Sequence, residues 1–275
     1  MRPVIRSVQE TDMPALRELW RLCFDADSQF LDLFFNKGLR LCRTYVLEIS
    51  SALVSALSVF PIRHHGLYGG YVYGVCTHPD YRGRNYARTL LSETEKNGFG
   101  QGLSFFILRP ASHSLFEYYS RQGYSNTITR FTSILSLPSI PGIIKYKRLT
   151  PERLFYLRSL HHHQNELFEW SIDECGYILE YTDYCHGQAI EINDGDAYFI
   201  AVPNSEQDSS AMILCEEAGG KDLDELLSGI KTLFPDAIST QLHLPGAGEK
   251  EPFLLAKTKG GISISDTALL SFTME

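Results

Sequence analysis

The segment from Tyr73 to Leu91 constrains the fold more strongly than any other part of the sequence. It begins as an apolar strand, turns at His78-Pro79-Asp80, passes through a short basic loop and continues directly into an amphipathic helix. Apolar periodicity that changes from a strand pattern to a helix pattern across Pro and Gly is typical of a strand-loop-helix unit. The segment therefore predicts a fold in which strands and helices alternate.

The start of this helix is predicted to bind an anion. The first backbone N–H groups of a helix lack intrahelical partners and lie at the positive end of the helix dipole. Arg82, Arg84 and Arg88 add three positive charges within seven residues. These features favour a ligand with several phosphate charges, although a solvated basic first turn remains the alternative. Neither G-x-x-x-x-G-K-[ST] nor G-x-G-x-x-G is present at this helix, so P-loop kinases and dinucleotide dehydrogenases fit poorly.

Strand and helix patterns continue along the rest of the chain and predict a mixed α/β fold. After Thr11-Asp12 a helix is expected with apolar residues from Leu16 to Cys23. The other predicted helices are 84–97, 114–122, 151–165, 171–184 and 223–233. The predicted strands are 4–8, 44–49, 52–60, 71–77, 103–108, 127–136, 143–147, 197–202, 211–216, 239–244 and 252–257.

A domain boundary is predicted at Leu137-Pro138-Ser139-Ile140-Pro141-Gly142, where two prolines and a glycine separate two strand-like runs. A strand followed by a capped helix opens the chain on each side of this boundary, and the second helix has Thr150 as N-cap and Pro151 at its first position. We interpret this as a weak internal repeat, with chance similarity as the alternative. The expected domains are residues 1–140 and 141–275.

Composition places the chain among globular proteins. With 275 residues, 44% hydrophobic and 21% charged, it can bury a substantial core. No apolar run approaches the roughly 18 residues of a transmembrane helix, and the apolar part of the N-terminal segment is too short for a signal peptide. We expect a cytoplasmic protein with no membrane partner. The six cysteines are interpreted as buried thiols in preference to disulfides or metal ligands: Cys23, Cys42, Cys76, Cys175, Cys185 and Cys215.

The charge is divided unevenly between the two halves. Residues 1–140 contain 15 basic and 11 acidic residues, a net charge of +4, whereas residues 141–275 contain 10 and 22, a net charge of −12. Residues 161–230 alone carry −15. Such a segment would repel a phosphate backbone, so nucleic acid is not an expected partner. It suits a cationic partner, with an ordinary solvated surface as the equal alternative.

No metal site is expected. His161-His162-His163 are consecutive, and consecutive residues of a helix point in different directions, whereas two ligands on one helix face are spaced i and i+4.

Two motifs resemble those of the GNAT acyl-CoA N-acetyltransferases. In that family a strand leads through V-x-P-x-Y-R-G-x-G-x-G/A into a helix, and here the segment reads Cys76-Thr-His-Pro-Asp-Tyr-Arg82-Gly-Arg-Asn-Tyr-Ala87. A second element, Ser114-Leu-Phe-Glu-Tyr-Tyr119-Ser-Arg-Gln-Gly123-Tyr124, is similar to the family's L-x-x-x-Y-x-x-x-G-F helix. The resemblance covers residues 4–136, and Leu19-Trp20 to Phe35 also resembles a bacterial subgroup with a second GNAT-like domain. It implies a twisted central sheet flanked by helices, followed by that second domain.

The resemblance implies a binding site for acetyl-CoA as the acyl donor. The strand edge would pair with the pantetheine arm, the basic loop would cradle the diphosphate, and the start of the later helix would touch the distal pantetheine. The family prefers Gly where this sequence has Asn85, a residue that tolerates positive φ better than most. The implied cofactor-binding residues are Val75, Cys76, Thr77, Arg82, Gly83, Arg84, Asn85, Tyr86, Ala87, Arg88, Ser112, Ser114 and Leu115.

Tyr119, four residues before Gly123, matches the family position that protonates the departing CoA thiolate. Tyr118 is its neighbour, but the family spacing selects Tyr119. An amine must lose a proton before it attacks, so a general base is also useful. The candidate bases in the first domain are Glu48, His78, Asp80 and Glu117. Related multidomain acetyltransferases use their C-terminal carboxylate, which implies Glu275 here.

These observations predict an N-acetyltransferase that moves an acetyl group directly from acetyl-CoA to a primary amine in a ternary complex. The acceptor is expected to be a small or peptidic amine, with a cationic one favoured by the acidic segment. The second domain is expected to lack a cofactor loop, because the strand at 211–216 is followed by the acidic Glu217-Ala-Gly-Gly-Lys-Asp222. The alternatives are a non-catalytic acyl-CoA-sensing or scaffold protein, and an enzyme for a different acyl chain.

Overall fold

The structure is a computed structural model that describes residues 3–162, 167–204, 211–243, 248–266, 268 and 270. It divides into two compact units. The first contains the chain up to Ile128 together with Phe253–Asp266, and the second contains Thr129–Pro252. The units therefore differ from the expected domains 1–140 and 141–275, because a segment near the C-terminus belongs to the first unit and 129–140 belongs to the second.

The mixed α/β architecture expected from the sequence is confirmed. The strands are β1 Val4–Ser7, β2 Arg43–Ile49, β3 Ala52–His64, β4 Leu67–Thr77, β5 Phe105–Leu108, β6 Asn126–Ser136, β7 Tyr146–Arg148, β8 Gln188–Ile192, β9 Ala197–Pro203, β10 Met212–Gly220, β11 Ser239–His243 and β12 Glu249–Thr258. The α-helices are α1 Met13–Phe24, α2 Ser28–Leu33, α3 Leu39–Leu41, α4 Tyr86–Gly100, α5 His113–Ser120, α6 Pro151–His161, α7 Ile172–Tyr184 and α8 Leu223–Leu233.

In the first unit the strands follow the order β1-β2-β3-β4-β5-β12. The pairs from β1 to β4 are antiparallel, β4 and β5 are parallel, and β5 and β12 are antiparallel. All four residues of β5 are buried, as expected for a strand covered on both faces. In the core of this unit, α4 packs against the sheet through Leu90 and Leu91. These two residues form one hydrophobic cluster with Phe106, Leu108 and Leu255.

The second unit repeats this topology. Its strand order is β7-β8-β9-β10-β11-β6, with antiparallel pairs from β7 to β10, a parallel pair β10–β11 and an antiparallel pair β11–β6. A second cluster that includes Ile190, Phe199, Ile213 and Ile230 forms its core. In each unit, the strand next to the parallel pair comes from the other half of the sequence. In the first unit β12 lies beside β5, and in the second unit β6 lies beside β11.

Many carboxylates of the acidic segment 161–230 have partners within the second unit. The buried Glu217 accepts a hydrogen bond of 3.0 Å from Arg158, and Asp222 caps the N-terminus of α8. Four of these carboxylates pair with a cation from just before the segment, so part of its charge is neutralised locally: Asp183, Glu191, Asp194 and Glu217 pair with Arg148, Arg153, Lys147 and Arg158. Three more accept hydrogen bonds from neutral groups: Glu174, Asp222 and Glu225.

All six cysteines are free thiols. Cys76, Cys175 and Cys215 are buried, and Cys23, Cys42 and Cys185 are half-buried. Within the described residues, no helix is both long enough and apolar enough to cross a membrane. His161 Nε2 lies 2.9 Å from the carbonyl oxygen of Gly195, and His162 Nε2 lies 2.9 Å from the hydroxyl of Tyr198. His163 lies outside the described residues.

Candidate functional site

The parallel strands β4 and β5 separate at one end of the first sheet. They pair from Gly69 with Phe105 to Val72 with Leu108, where β5 ends, while β4 continues to Thr77. On its other edge this extension still pairs with β3, because Ser55 lies opposite Thr77. Ligands of open α/β sheets bind beyond the carboxyl ends of parallel strands, where neighbouring strands diverge. The extension 73–77 therefore offers a main-chain edge beside an opening.

A bulge shapes this extension. Gly74 has φ +61, and the register against β3 shifts between Ala56 and Ser58. A Cβ atom at position 74 would lie 2.5 Å from the indole of Trp20, so both the backbone conformation and the packing require glycine here. The hydroxyl of Ser55 donates a hydrogen bond of 2.6 Å to the carbonyl oxygen of Cys76 and fixes the strand after the bulge. The sequence-predicted residues Val75, Cys76 and Thr77 thus lie together on this extension.

The loop after β4 presents free backbone donors. It leaves the strand through a 3-10 turn at Pro79–Tyr81, and Gly83 and Asn85 follow with φ +74 and +61. Asn85 is the N-cap residue of α4, but its side chain makes no capping hydrogen bond. Among the described residues, the amides from Gly83 to Arg88 have no hydrogen-bond partner. Six consecutive unpaired amides at a helix start form a site for an anion such as a diphosphate.

The loop arginines are held in different ways. Arg82 Nε donates to the carbonyl oxygen of Thr77 at 3.2 Å. Arg84 donates to the carbonyl oxygen of Asp80 at 3.3 Å, and its guanidinium lies 5.4 Å from the ring centroid of Tyr81. Arg82, Arg84 and Arg88 are all exposed, so their charges face solvent where a polyphosphate would approach. Tyr86 and Ala87 are half-buried in the first turn of α4.

The corresponding helix of the second unit is closed to an anion. Asp222 Oδ1 accepts from the amides of Asp224 at 2.9 Å and Glu225 at 3.3 Å, and both of those residues carry negative charge into the first turn of α8. A capped, acidic helix start has neither the free donors nor the charge that phosphate needs. The absence of a cofactor loop from the second domain stays a prediction.

Helix α5 starts after the parallel partner strand β5. Ser112 is its N-cap residue, and its hydroxyl lies 3.0 Å from that of Ser114. Both serines are exposed, while Leu115 packs against the first core. The predicted contacts to the distal pantetheine therefore lie at the N-terminus of a helix that follows β5, just as the loop amides follow β4.

Tyr119 and Tyr118 have different environments, as predicted from their spacing. Tyr119 is 8% exposed and belongs to the first core, where its ring packs edge-on against Tyr124 at 5.9 Å. Tyr118 is 36% exposed. Burial raises the pKa of Tyr119 well above that of a free phenol, and the neighbouring Tyr118 adds to the shift. The phenol of Tyr119 therefore stays protonated at neutral pH.

Three of the four candidate bases in this unit have partners that limit their use. Glu48 accepts two hydrogen bonds from Arg6, at 3.2 and 2.8 Å, and Glu117 pairs with Arg121 on the surface. His78 Nδ1 accepts a hydrogen bond of 3.3 Å from the amide of Asp80, so His78 helps to build the turn. The Asp80 side chain is 85% exposed. Glu275 lies outside the described residues.

Two side-chain clusters near these residues were not predicted. Cys23, on α1, donates to the carbonyl oxygen of Thr77 at 3.4 Å, so it shares that acceptor with Arg82. Lys257, on β12, pairs with the buried Glu95 of α4 and donates to the carbonyl oxygen of Gln122 at 2.9 Å. Each cluster joins residues more than 50 positions apart, and no local sequence pattern marks such pairs.

A family model described as "Acetyltransferase (GNAT) domain" matches residues 4–127. The match contains β4, the basic loop, α4 and the helix of Tyr119. No curated protein matches the sequence.

Solved structures are similar over nearly the whole chain. A probable N-acyltransferase from Enterococcus faecalis has a TM-score of 0.73 at 14% identity, over 94% of this chain and 73% of that one. A GCN5-related N-acetyltransferase from Kribbella flavida has a TM-score of 0.71 at 12% identity, over 94% and 71%. A tandem GNAT protein from the clavulanic acid biosynthesis pathway has a TM-score of 0.57 at 11% identity, over 95% and 100%. At these identities the similarity establishes the fold.

Proposed function

We propose that the protein transfers an acetyl group from acetyl-CoA to a primary amine, because residues 4–127 match a model of the GNAT acetyltransferase domain and the chain is similar in fold to a tandem GNAT protein. The transfer is direct, with both substrates bound together. The acyl donor is bound by the first unit, and the second unit lacks a cofactor loop.

The observation that carries this proposal is the start of α4. Its six unpaired amides from Gly83 to Arg88, beside three exposed arginines, match the needs of a diphosphate bearing several negative charges. Asn85 adopts the positive φ that the family supplies with glycine, so the loop keeps its shape despite the substitution. The conformation of Asn85 therefore supports a loop that still binds the diphosphate.

The remaining donor contacts follow from the neighbouring elements. The edge of β4 at residues 73–77 pairs with the amide groups of the pantetheine arm, as an added strand pairs with a sheet edge. An N–H of that edge then polarises the thioester carbonyl, where negative charge develops during attack. Ser112, Ser114 and Leu115, at the start of the helix that follows β5, contact the distal pantetheine in this proposal.

Tyr119 protonates the departing thiolate in this mechanism. Its phenol is buried among apolar side chains and is protonated at neutral pH. A thiolate formed in the same poorly solvated space is more basic than one in water, because desolvation disfavours the charged form of both groups. The proton therefore moves from Tyr119 to sulfur as the C–S bond breaks, and solvent later reprotonates the tyrosine.

The acceptor in this proposal is a small or peptidic primary amine, preferentially cationic. The support for a cation is the net charge of −12 on residues 141–275, although seven of the carboxylates concerned are engaged within the second unit. Steering of a cation by the remaining negative charge falls as salt screens it.

Release of free CoA thiol from acetyl-CoA, measured against a panel of amines, tests the proposal. The panel pairs polyamines and lysine peptides with neutral and acidic amines of similar size. Thiol release that depends on an amine, with the cationic members preferred, is the expected result. Tight CoA binding with no release by any amine would instead identify a sensor or scaffold protein, and longer acyl-CoA donors in the same assay test the acyl-chain preference.

Tyr119→Phe should reduce kcat by about 10²- to 10⁴-fold, the usual contribution of a general acid, and leave CoA affinity unchanged. The substitution removes one oxygen and little volume, so the fold should survive. Tyr118→Phe is the matched control and should have a far smaller effect, because adjacent side chains on a helix point about 100° apart. A large loss for Tyr118→Phe and none for Tyr119→Phe would contradict the assignment.

A further inference from the structure

A cavity of about 440 Å³ lies in the first unit, away from the loop that follows β4. Its walls come from the segment between α3 and β2, from the C-terminal half of α4, and from the ends of β3, β4 and β5 that lie opposite the site. A second depression shares Arg43, Tyr45 and Gln101 with it. Its volume is within the range of small-molecule sites, roughly 300 to 1,000 Å³.

The cavity is separate from the proposed acyl-donor site. Thr94, Gly98 and Gln101 line it at the C-terminal end of α4, whereas the unpaired amides lie at the N-terminal end. At 1.5 Å per residue, Asn85 and Gln101 are about 24 Å apart along the helix axis. A ligand in the cavity would therefore contact different residues from those expected to bind the diphosphate.

The lining combines an apolar interior with two cations. Leu41, Pro61 and Leu103 supply accessible apolar surface, while Val59 and Phe106 lie behind them and are buried. Arg40 is exposed and has no partner among the described residues, and Arg43 donates to Gln101 Oε1 at 2.9 Å through one of its guanidinium nitrogens. No carboxylate is among the described lining residues. The site thus has donors for an anionic head group and apolar contacts for a compact body.

We propose that this cavity binds a small monocarboxylate with a compact apolar or aromatic body. The carboxylate lies against Arg40 and the free nitrogens of Arg43, since guanidinium groups bind carboxylates through paired charge-assisted hydrogen bonds. The body lies against Leu41, Pro61 and Leu103. Nothing in the proposed transfer reaction uses this site, so it holds whether or not the protein is an acetyltransferase.

Phenylacetate is a suitable probe, and phenylacetamide is its matched neutral control. Calorimetry on the full chain, without acetyl-CoA, should detect phenylacetate at concentrations up to about 10 mM and detect phenylacetamide and acetate at least tenfold more weakly. Arg40→Ala should weaken phenylacetate binding about tenfold, and Arg40→Lys should restore part of it. Arg63→Ala is the control, because Arg63 is an exposed arginine of the same unit that stacks on Tyr68 outside the cavity.

The alkylation rate of Cys42 reports whether phenylacetate occupies the cavity in the protein without substitutions. It lines the cavity and is half-buried, so phenylacetate should slow its alkylation by N-ethylmaleimide, as read by peptide mass spectrometry, while Cys185 in the second unit is unaffected. Equal affinity for phenylacetate and phenylacetamide would overturn the proposal. So would binding that is insensitive to Arg40→Ala, or binding that leaves the alkylation of Cys42 unchanged, or no detectable binding.

Discussion

Residue 85 shows how a single backbone conformation decides what a position tolerates. Asn85 sits at φ +61 between the loop and α4, a conformation that costs most residues roughly 1 to 2 kcal/mol but is less costly for asparagine. The resemblance to the family indicates that glycine is usual at this position, and the known tolerance of asparagine for positive φ indicates that Asn85 can replace it. What the sequence could not show is that the asparagine side chain makes no capping bond, which leaves the first amides of α4 free for a ligand.

Arg84→Glu should weaken CoA binding at least tenfold, about 1.4 kcal/mol. The guanidinium is held over Tyr81 beside the free amides, and the substitution replaces phosphate attraction with repulsion. Calorimetry at low salt measures the change, and Arg63→Glu is the matched control because it alters the net charge equally at a distance from the loop. An unchanged dissociation constant for Arg84→Glu would show that the loop does not bind phosphate.

Cys23 should be more reactive than Cys185, another half-buried thiol. The hydrogen bond from Cys76 lowers the pKa of Cys23 to about 6, and Arg82 contributes to the same shift, whereas burial raises the pKa of Cys185. The thiol form of Cys23 donates to Thr77, whereas the thiolate accepts from Cys76 and Arg82 and is the larger fraction at pH 7 when the pKa is about 6. Alkylation of Cys23 by iodoacetamide should therefore be roughly tenfold faster than at Cys185. Peptide mass spectrometry across pH 5 to 9 gives each rate.

The rate at Cys23 should rise through a midpoint near pH 6, because the thiolate is the nucleophile and its fraction grows as pH passes the pKa. Arg82→Gln should move that midpoint upward. A midpoint above pH 8 in the unmodified protein would contradict the assigned cluster.

At the scale of elements, the sequence predicts those whose pattern is local. Strands β1 to β5 and helices α4, α5 and α8 were all expected near their observed positions, because apolar periodicity and turn residues mark them. Three elements are not predicted by the sequence: strand β8 and helices α2 and α3. Strand β8 contains the charged residue Glu191, which interrupts the apolar pattern of the strand. Glu191 is nevertheless only 6% exposed, and it pairs with Arg153, 38 residues earlier. The helical segment from α2 to α3 passes through a π-helical turn at Phe34–Gly38, and the sequence of that turn has low helix propensity.

Strand β12 supports the helix that carries Tyr119. Lys257 pairs with the buried Glu95 and donates to Gln122 just after α5, and its ammonium lies 5.7 Å from the ring centroid of Tyr124, which packs on Tyr119. The sequence gives no sign of this connection, because Lys257 and Glu95 are 162 positions apart. The position of the proposed general acid thus depends on a residue from the far end of the chain.

Lys257→Met should lower the free energy of unfolding by about 3 kcal/mol, because the Glu95 carboxylate then stays buried without its partner. It should also lower kcat by loosening the end of α5. The double variant Lys257→Met with Glu95→Leu removes both charges and should recover most of the stability. Urea unfolding of the four members of this cycle measures the coupling, and purely additive losses would contradict a direct pair.

At the scale of the whole molecule, the repeat seen in the sequence becomes two units of the same topology. Each has an antiparallel series that ends in one parallel pair, β4–β5 or β10–β11, followed by a strand from the other repeat. The sequence suggested the repeat through its two strand-helix openings. It could not show the exchange of the last strands, because the apolar pattern of a strand does not specify the strand beside which it lies. For this reason the chain boundary at 140 does not separate two complete folding units.

Residues 1–140 expressed alone should fold poorly and bind CoA at least tenfold more weakly than the full chain. This fragment lacks β12, so β5 loses the partner that pairs Leu255 with Leu108, and the core loses Leu255 itself. Joining residues 249–266 to residue 140 through a flexible Gly/Ser linker should restore a cooperative thermal transition and CoA binding, because it completes the sheet of the first unit.

The same fusion carrying Leu255→Asp is the control. It has the same length but places a charge in the core, so it should recover neither the cooperative thermal transition nor CoA binding. Circular dichroism and calorimetry on the three fragments decide the outcome. Full CoA affinity in residues 1–140 alone would show that β12 is dispensable for the site. Measurable affinity in residues 141–252 would contradict the placement of the acyl-donor site in the first unit, where the free amides of α4 lie and the capped start of α8 does not.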